Sequence, residues 1–189
     1  MTFTKLVPPS RADASLAGTY EKVAAFSTHG RVSNLWQAWG GDPAGLGTLH
    51  AHYRAVMGEP APLTPAQAEM VALVVSATNG CGYCVAHHGP RLAAHAGEGL
   101  ARSVALDYRE ANLAARDRVL LDAAVALTCE PGERTNADVE RLREYGFDDD
   151  AILKLTEVTA LYNLVNRVAS GLGVSLEEGV KRWEFGAQK

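Results

Sequence analysis

The sequence has few cysteines and no strongly basic region. Only three cysteines occur among 189 residues, an odd number and too few for a disulfide-stapled scaffold. The formal net charge is −4, and Lys and Arg form no stripe along the chain. Because phosphate binding requires a basic footprint, we do not expect nucleic acid as a partner.

Long hydrophobic runs are also missing. No extended apolar region follows Lys5, so we expect no secretory signal. No run approaches the roughly 20 apolar residues that a membrane-spanning helix requires. We therefore predict a cytoplasmic protein without a membrane segment. In that reducing compartment, a close cysteine pair is more often catalytic, redox-active or metal-binding than structural.

Helix start and stop signals are present where strand patterns are not. Thr64, Pro65 and Gln67 provide an N-cap, a proline at the first helical position and a capping-box partner. Asn79-Gly80 is a normal C-terminal signal. The sequence therefore predicts a buried helix over residues 65–79.

Further helices are predicted on both sides of this one. Their approximate extents are 18–58 (several helices separated by glycines, with turns at 40–43 and 58–60), 81–96, 111–130, 137–146 and 151–173. Pro90 predicts a kink or break near His88-Gly89, and Gly97 ends that helix. Because no strand-turn-strand pattern occurs, we predict an all-α fold.

The domain organisation is predicted to be simple. Residues 1–17 show little periodicity and are interpreted as an extended arm, followed by a single helical domain over 18–189. A faint repeat of helix patterns occurs in residues 64–80 and again in residues 135–173, which suggests two weakly repeated halves.

The chemistry is concentrated in a short segment containing Cys81, Cys84 and His88. A cysteine is nucleophilic only as the thiolate, and the start of a helix favours that negative charge. In a Cys-x-x-Cys pair, one thiol stabilises the thiolate of the other and can later form the disulfide. His88 follows Cys84 by four residues, on the same helix face, so it is a candidate proton acceptor.

Glu69 is an unexpected carboxylate in an apolar helix. Burying it is costly unless it is paired. The short turn at residues 79–80 predicts that its helix and the one starting near Cys81 pack as a hairpin. With a suitable packing angle, Glu69 orients His88 or relays protons, but the angle does not follow from the sequence.

Two other interpretations of the cysteine pair remain open. The first is a zinc site completed by His87, His88 or His95, although no second cysteine pair is present. The second is a pair of ordinary buried cysteines. No metal ligands are assigned.

The remaining polar and aromatic residues of interest are interpreted as structural. Cys129 is predicted to be an inert thiol, and the other histidines to be bystanders or surface residues. Packing or subunit contact is the expected role of Trp36, Trp39, Tyr53, Asn163, Asn166 and Arg167.

Glu69, Cys81-x-x-Cys84 and His88 together resemble the alkylhydroperoxidase D-like (AhpD-like) branch of the carboxymuconolactone decarboxylase superfamily. The segments LTPAQAEMVALVVSATNGCGYCVAHHG and LYNLVNRVASGLG are also similar to that family. The resemblance covers residues 45–175. It implies an AhpD-like helical bundle, homo-oligomers (dimer, trimer or hexamer) and peroxidase activity without haem, flavin or another cofactor.

The resemblance also implies roles for these residues. Cys84 corresponds to the peroxidatic thiol and Cys81 to the resolving thiol, with His88 and Glu69 in the proton relay. Tyr83 occupies a position where the founding members have a histidine, so the relay is altered: it is either shortened or completed by the phenol or by water. The implied partners are a peroxide substrate and an external dithiol reductant of the lipoyl type.

Two alternative functions are retained. One is a decarboxylase acting on lactones, as in the sister branch, which does not depend on a cysteine pair. The other is a non-catalytic helical assembly that senses redox state or holds a metal.

Overall fold

The structure is a computed structural model that describes residues 2–27 and 30–186. Its regular elements within those ranges are all helical, which confirms the predicted all-α class. The α-helices are α1 (Ala14–Phe26), α2 (Asn34–Ala38), α3 (Pro43–Tyr53), α4 (Pro65–Thr78), α5 (Gly82–Ala96), α6 (Glu98–Asp107), α7 (Ala115–Cys129), α8 (Asn136–Glu144) and α9 (Asp149–Gly171). A π-helical turn, Arg54–Gly58, extends α3, and short 3-10 turns occupy Pro9–Arg11 and Pro131–Glu133.

Helix α4 is the centre of the fold. Thr64 and Gln67 form the predicted capping box, with Gln67 N donating to Thr64 Oγ1 over 3.1 Å and Thr64 N donating to Gln67 Oε1 over 3.0 Å. Every residue from 68 to 78 is buried, as expected for a helix that is apolar on all sides. Helices α5, α6, α7 and α9 pack around it.

The turn between α4 and α5 has two residues before Cys81. Gly80 adopts a φ of +69°, a conformation that glycine reaches without steric cost. Cys81 N then donates to the Ser76 carbonyl over 2.9 Å. This turn reverses the chain and places the start of α5 beside the end of α4, so the predicted hairpin is present.

Helix α5 continues through Pro90 to Ala96 without interruption, so of the predicted kink or break near His88-Gly89 the break is wrong. Proline removes only its own N–H from the helical hydrogen bonds. Buried residues on either side, Val85 and Leu92, anchor both halves of the helix in the core.

Helix α6 was not predicted from the sequence. It follows directly after Gly97, whose φ is +87°, and it buries Ala101, Val104 and Ala105. These small apolar residues recur at helical spacing, but the pattern is too short to stand out. Helix α7 consequently starts at Ala115, later than residue 111.

The first helix also differs from the prediction. Helix α1 begins at Ala14, where Asp13 accepts a hydrogen bond from Leu16 N over 2.9 Å, so the extended arm ends before residue 17. Tyr20 donates to the Val7 carbonyl over 2.7 Å and ties the preceding segment to α1. Leu16, Tyr20 and Leu46 form a small second core cluster beside the main one.

Residues 174–186, here called the C-terminal strap, run back across α5. A Cβ atom added to Gly89 would lie 2.3 Å from the Trp183 ring, and one added to Gly82 would lie 3.4 Å from Phe185. The aromatic rings therefore approach the helix backbone where glycine leaves space. None of the helices in the described ranges has the length and apolar character needed to cross a membrane.

Candidate active site

Cys81 and Cys84 form a close pair of free thiols at the start of α5. Their Sγ atoms lie 3.0 Å apart, and each residue is only 3% exposed. Cys81 is the N-cap residue and Cys84 lies in the first turn, where unpaired N–H groups favour negative charge. The predicted dithiol is thus assembled in a position that allows a disulfide.

The site shifts the pKa values of the two thiols in opposite directions. A hydrogen bond from the Cys84 thiol, with further bonds from Ser170 and Asn166, lowers the pKa of Cys81 to about 7. Sharing the site with the Cys81 thiolate, together with burial, raises the pKa of Cys84. Within the reduced pair, Cys81 is therefore the thiol that ionises more readily.

Asn166 contacts both sulfur atoms from α9. Its Nδ2 donates to Ser76 Oγ over 3.0 Å, and its Oδ1 accepts from Asn79 Nδ2 over 3.0 Å. It is 1% exposed and hydrogen bonds to Cys81 and Cys84. The sequence suggested only packing for Asn166. A polar side chain on the buried face of a long apolar helix was the available signal.

Glu69 and His88 form a buried pair across the α4–α5 hairpin. Glu69 Oε2 lies 2.7 Å from His88 Nδ1, and the side chains are 12% and 6% exposed. Burial raises the pKa of Glu69, but the hydrogen bond of His88, and its charge whenever the ring is protonated, outweigh burial, so the pKa is lowered overall. Burial lowers the pKa of His88 more than Glu69 raises it. Glu69 is therefore a carboxylate and His88 is neutral at pH 7.

Tyr83 is directed away from this pair. Its hydroxyl donates to Glu177 Oε1 over 2.7 Å and accepts from Leu35 N over 3.2 Å. His87 Nε2 lies 2.9 Å from Glu177 Oε2. The Tyr83 phenol is thus engaged with the C-terminal strap rather than with Glu69 or His88. Sequence analysis did not identify Glu177, because its partners lie about 90 residues away.

Glu177 is held strongly as a carboxylate. Burial raises its pKa, but hydrogen bonds from His87, Tyr83 and Asn34 N prevail and lower the pKa to about 2. These bonds fasten the strap to the first turns of α5. His87, interpreted from sequence as a bystander, is therefore a structural contact of the strap.

The histidines considered for a zinc site lie in different surroundings. Among the described residues, no group of three or more His, Cys, Asp or Glu side chains is arranged to hold a metal ion. His95 is exposed, and His87 and His88 each contact a carboxylate. Cys129 is an exposed free thiol at the end of α7, apart from the pair.

Comparison with known proteins is consistent with this arrangement. The family model described as the carboxymuconolactone decarboxylase family matches residues 43–102, the segment that contains Glu69, both cysteines and His88. A search of curated proteins gives no significant match.

Solved structures extend the similarity to nearly the whole chain. An uncharacterised peroxidase-related protein from Silicibacter sp. TM1040 is 32% identical, with a TM-score of 0.84 over 95% of this chain and 93% of that chain. A peroxidase-related protein from Ralstonia eutropha JMP134, described as an alkylhydroperoxidase AhpD core, is 28% identical, with a TM-score of 0.85 over 94% and 93% of the two chains.

A third structure shares the fold alone. It is a variant of the debrominase Bmp8 in complex with a tribromopyrrole, 16% identical, with a TM-score of 0.77 over 94% of this chain and 95% of that chain.

Proposed function

Since the chain belongs to the carboxymuconolactone decarboxylase family, among its AhpD-like members, we propose that it is a thiol-dependent peroxidase that reduces peroxides or organic hydroperoxides. One observation carries the proposal. Two buried sulfur atoms lie 3.0 Å apart, and Cys84 lies one helical turn before a histidine that a buried carboxylate holds in place.

The proposed cycle uses both cysteines. The Cys84 thiolate attacks one peroxide oxygen, the O–O bond breaks, and the other oxygen leaves as an alcohol or water after gaining a proton. Cys84 is then a sulfenic acid, which the Cys81 thiolate attacks to form the disulfide, and the departing hydroxide takes a proton from solvent and leaves as water. An external dithiol reduces this disulfide and is itself oxidised to a disulfide.

His88 is suited to move the proton. A carboxylate only accepts hydrogen bonds, so Nδ1 of His88 carries the proton in the bond to Glu69 and Nε2 is left as the base. Because Cys81 ionises more readily than Cys84, attack by Cys84 requires its proton to pass to His88 or to Cys81. The alcohol takes up that proton as it leaves.

The burial of both thiols supports a slender reductant. Each cysteine is 3% exposed, so a reductant must present its dithiol on a narrow arm. A lipoyl-type dithiol has this shape, and we include it in the proposal, together with assembly into a homo-oligomer.

The decisive experiment is a stopped-flow titration of the reduced protein with one equivalent of cumene hydroperoxide. We expect fast loss of two thiols and a Cys81–Cys84 disulfide by mass spectrometry. Cys84→Ser abolishes peroxide consumption, whereas Cys81→Ser stops at the sulfenic acid, which dimedone traps.

Cys129→Ser is the matched control, because it removes an exposed thiol outside the pair. It should leave the rate unchanged. If two thiols are lost no faster than from free cysteine, or if Cys84→Ser retains turnover, the peroxidase proposal is wrong.

A further inference from the structure

A half-buried arginine lies on the same face of α5 as the thiol and the base. Arg91 follows Cys84 by seven residues and His88 by three, a spacing that aligns side chains along one helix face. Its Nη1 donates to the hydroxyl of Tyr53 over 2.6 Å. Among the described residues, no carboxylate oxygen lies within the 4.0 Å ion-pair distance of its guanidinium.

Only part of the hydrogen-bonding capacity of Arg91 is used. Glu69 is the acidic residue whose charge acts on it, but that carboxylate is bound to His88. A guanidinium offers five N–H donors in a planar fork, of which the structure assigns one to Tyr53. The remaining donors are suited to a ligand that brings its own negative charge.

Tyr162 supplies a second unsatisfied donor at the same place. It is 1% exposed, and within the described part of the chain its hydroxyl has no hydrogen-bond partner. Its ring contacts the His88 ring edge-on, with centroids 4.6 Å apart. A buried hydroxyl without a partner is uncommon and costly, and a ligand group is one way to satisfy it.

The Tyr162 hydroxyl shares its surroundings with the catalytic groups. The charges of Glu69 and Cys84 raise the pKa of Tyr162, after burial, and the charge of Arg91 opposes them. Arg91 and Tyr162 also act on each other. Arg91 lies one helical turn after His88 on α5, and the Tyr162 ring contacts His88, so both donors flank His88.

Aromatic side chains continue from Tyr53 on the outer side. Trp36 and Phe26 contact the Tyr53 ring edge-on, with centroids 5.6 and 5.8 Å away. Phe26 is 37% exposed, so this apolar wall reaches solvent. It is suited to contact an aryl or alkyl group attached to the polar end of a ligand.

We propose that Arg91 and Tyr162, with Tyr53 positioning the arginine, bind the carboxylate of the substrate, which is therefore an organic hydroperoxide carrying a carboxylate. This inference rests on the proposed peroxidase function and names its substrate class. The guanidinium donates two parallel hydrogen bonds to a carboxylate, and the Tyr162 hydroxyl donates a third.

The helix geometry limits the size of that substrate. Seven residues of α-helix rise about 10 Å, and helical side chains lean toward the N-terminus, that is, from Arg91 toward Cys84. The carboxylate and the peroxide group are thus separated by less than about 10 Å. A carboxylated aryl hydroperoxide meets this limit, whereas a long-chain fatty acid oxidised near its tail exceeds it.

The charges of the proposed site favour a ligand with a single negative charge. Glu69 and Arg91 offset each other in the free site, so a carboxylate adds one negative charge that three donors hold. A phosphate dianion would add two charges to a half-buried site with one arginine, which costs more desolvation.

The test compares para-carboxy cumene hydroperoxide with its methyl ester, using kcat/KM for each with a small dithiol as reductant. We expect the wild-type protein to prefer the acid by about 10-fold to 100-fold, since an arginine–carboxylate pair contributes on the order of a few kcal/mol. Arg91→Met should reduce this preference to about one. The ratio is the readout, because general loss of activity cancels in it.

Arg141→Met is the matched control, since Arg141 is an exposed arginine on α8 whose side chain is 61% exposed. It should retain the preference. Arg91→Lys should keep part of it, because lysine preserves the charge but not the paired donors.

Direct binding separates this inference from the peroxidase proposal. Titration calorimetry with para-isopropylbenzoate, which carries no peroxide, should give binding that Arg91→Met weakens at least 10-fold. Binding without peroxide consumption would support the site and overturn the peroxidase function. Consumption of acid and ester at equal kcat/KM would overturn the site and leave the peroxidase function intact.

Tyr162→Phe separates a ligand role from a purely structural one. If the hydroxyl binds the carboxylate, the variant should bind para-isopropylbenzoate more weakly than the wild type does. If the variant stabilises the protein and leaves benzoate binding unchanged, the assignment of Tyr162 is wrong. Tighter binding of inorganic phosphate than of para-isopropylbenzoate would overturn the assignment to a carboxylate.

Discussion

The Nδ1 atom of His88 lies 2.7 Å from Oε2 of Glu69, although 19 positions separate the two residues in the chain. The contact exists because the short turn before Cys81 folds α5 back onto α4. It fixes which imidazole nitrogen carries the proton. It also offsets the free-energy cost of burying a carboxylate in the centre of the bundle.

Glu69→Gln should slow peroxide-driven thiol loss by about 10-fold to 100-fold, in the lower range of general acid–base effects. The amide is similar in size but carries no charge and can donate to Nδ1, which would move the proton to the wrong nitrogen. Stopped-flow measurement of thiol loss at pH 7 tests this. Glu98→Gln, at an exposed position on α6, is the control, and an equal rate in Glu69→Gln would contradict the role of the pair.

Cys84→Ala should raise the pKa of Cys81 from about 7 toward its ordinary value of 9.0. The largest cause of the low pKa is the hydrogen bond from the Cys84 thiol, which alanine removes. The thiolate fraction at pH 7 falls accordingly, from about half to a few per cent. Thiolate absorbance against pH in a Cys129→Ala background measures it. A Cys81 pKa that stays near 7 would mean that Ser170 and Asn166 are sufficient.

Asn166→Ala should raise the pKa of Cys81 and destabilise the fold. The variant removes a donor to the sulfur and one hydrogen bond each from Ser76 and Asn79, at a cost of about 1–3 kcal/mol. The measurements are the alkylation rate against pH and urea unfolding. Asn163→Ala is the comparison, because it removes another bond to Asn79. If both variants shift the thiol pKa equally, the sulfur contacts of Asn166 are not the cause.

Glu177→Gln should remove a pH-dependent contribution to stability. The folded-state pKa of about 2 lies below the ordinary 4.5, so the unfolded chain takes up the proton first as pH falls. The contribution is complete above pH 4.5 and is lost as pH approaches 2. Its upper limit is about 3 kcal/mol, from 1.36 kcal/mol per pKa unit.

Urea unfolding of the wild type and Glu177→Gln at pH 7 and pH 3 measures this contribution. The difference between the two proteins should be smaller at pH 3. Glu178→Gln, at the exposed neighbouring position, serves as the control. A difference that is independent of pH would show that the hydrogen bonds act without the charge.

The parts of the fold that follow from local signals could be predicted from the sequence. The capping box at Thr64, the stop at Asn79-Gly80 and the placement of Cys81 at a helix start each depend on a few neighbouring residues. Helix α6 has only a short, weak apolar pattern and was missed. Pro90 gives a strong local signal for a break, but core packing on both sides prevails.

The site could be predicted only where its residues are close in sequence. Cys81, Cys84 and His88 share one helix, so their alignment follows from the helical period. The Glu69–His88 distance depends on the angle between two helices. The contacts of Glu177 and Asn166 join segments about 90 residues apart. No local pattern encodes those distances.

The burial of the sulfur pair affects how well the thiols withstand high peroxide concentrations. In the proposed cycle, the sulfenic acid forms on a Cys84 side chain that is only 3% exposed, with the Cys81 sulfur already 3.0 Å away. Irreversible conversion to sulfinic acid requires a second peroxide to enter before this neighbour reacts. The packing that slows the delivery of reductant thus also protects the catalyst from hyperoxidation.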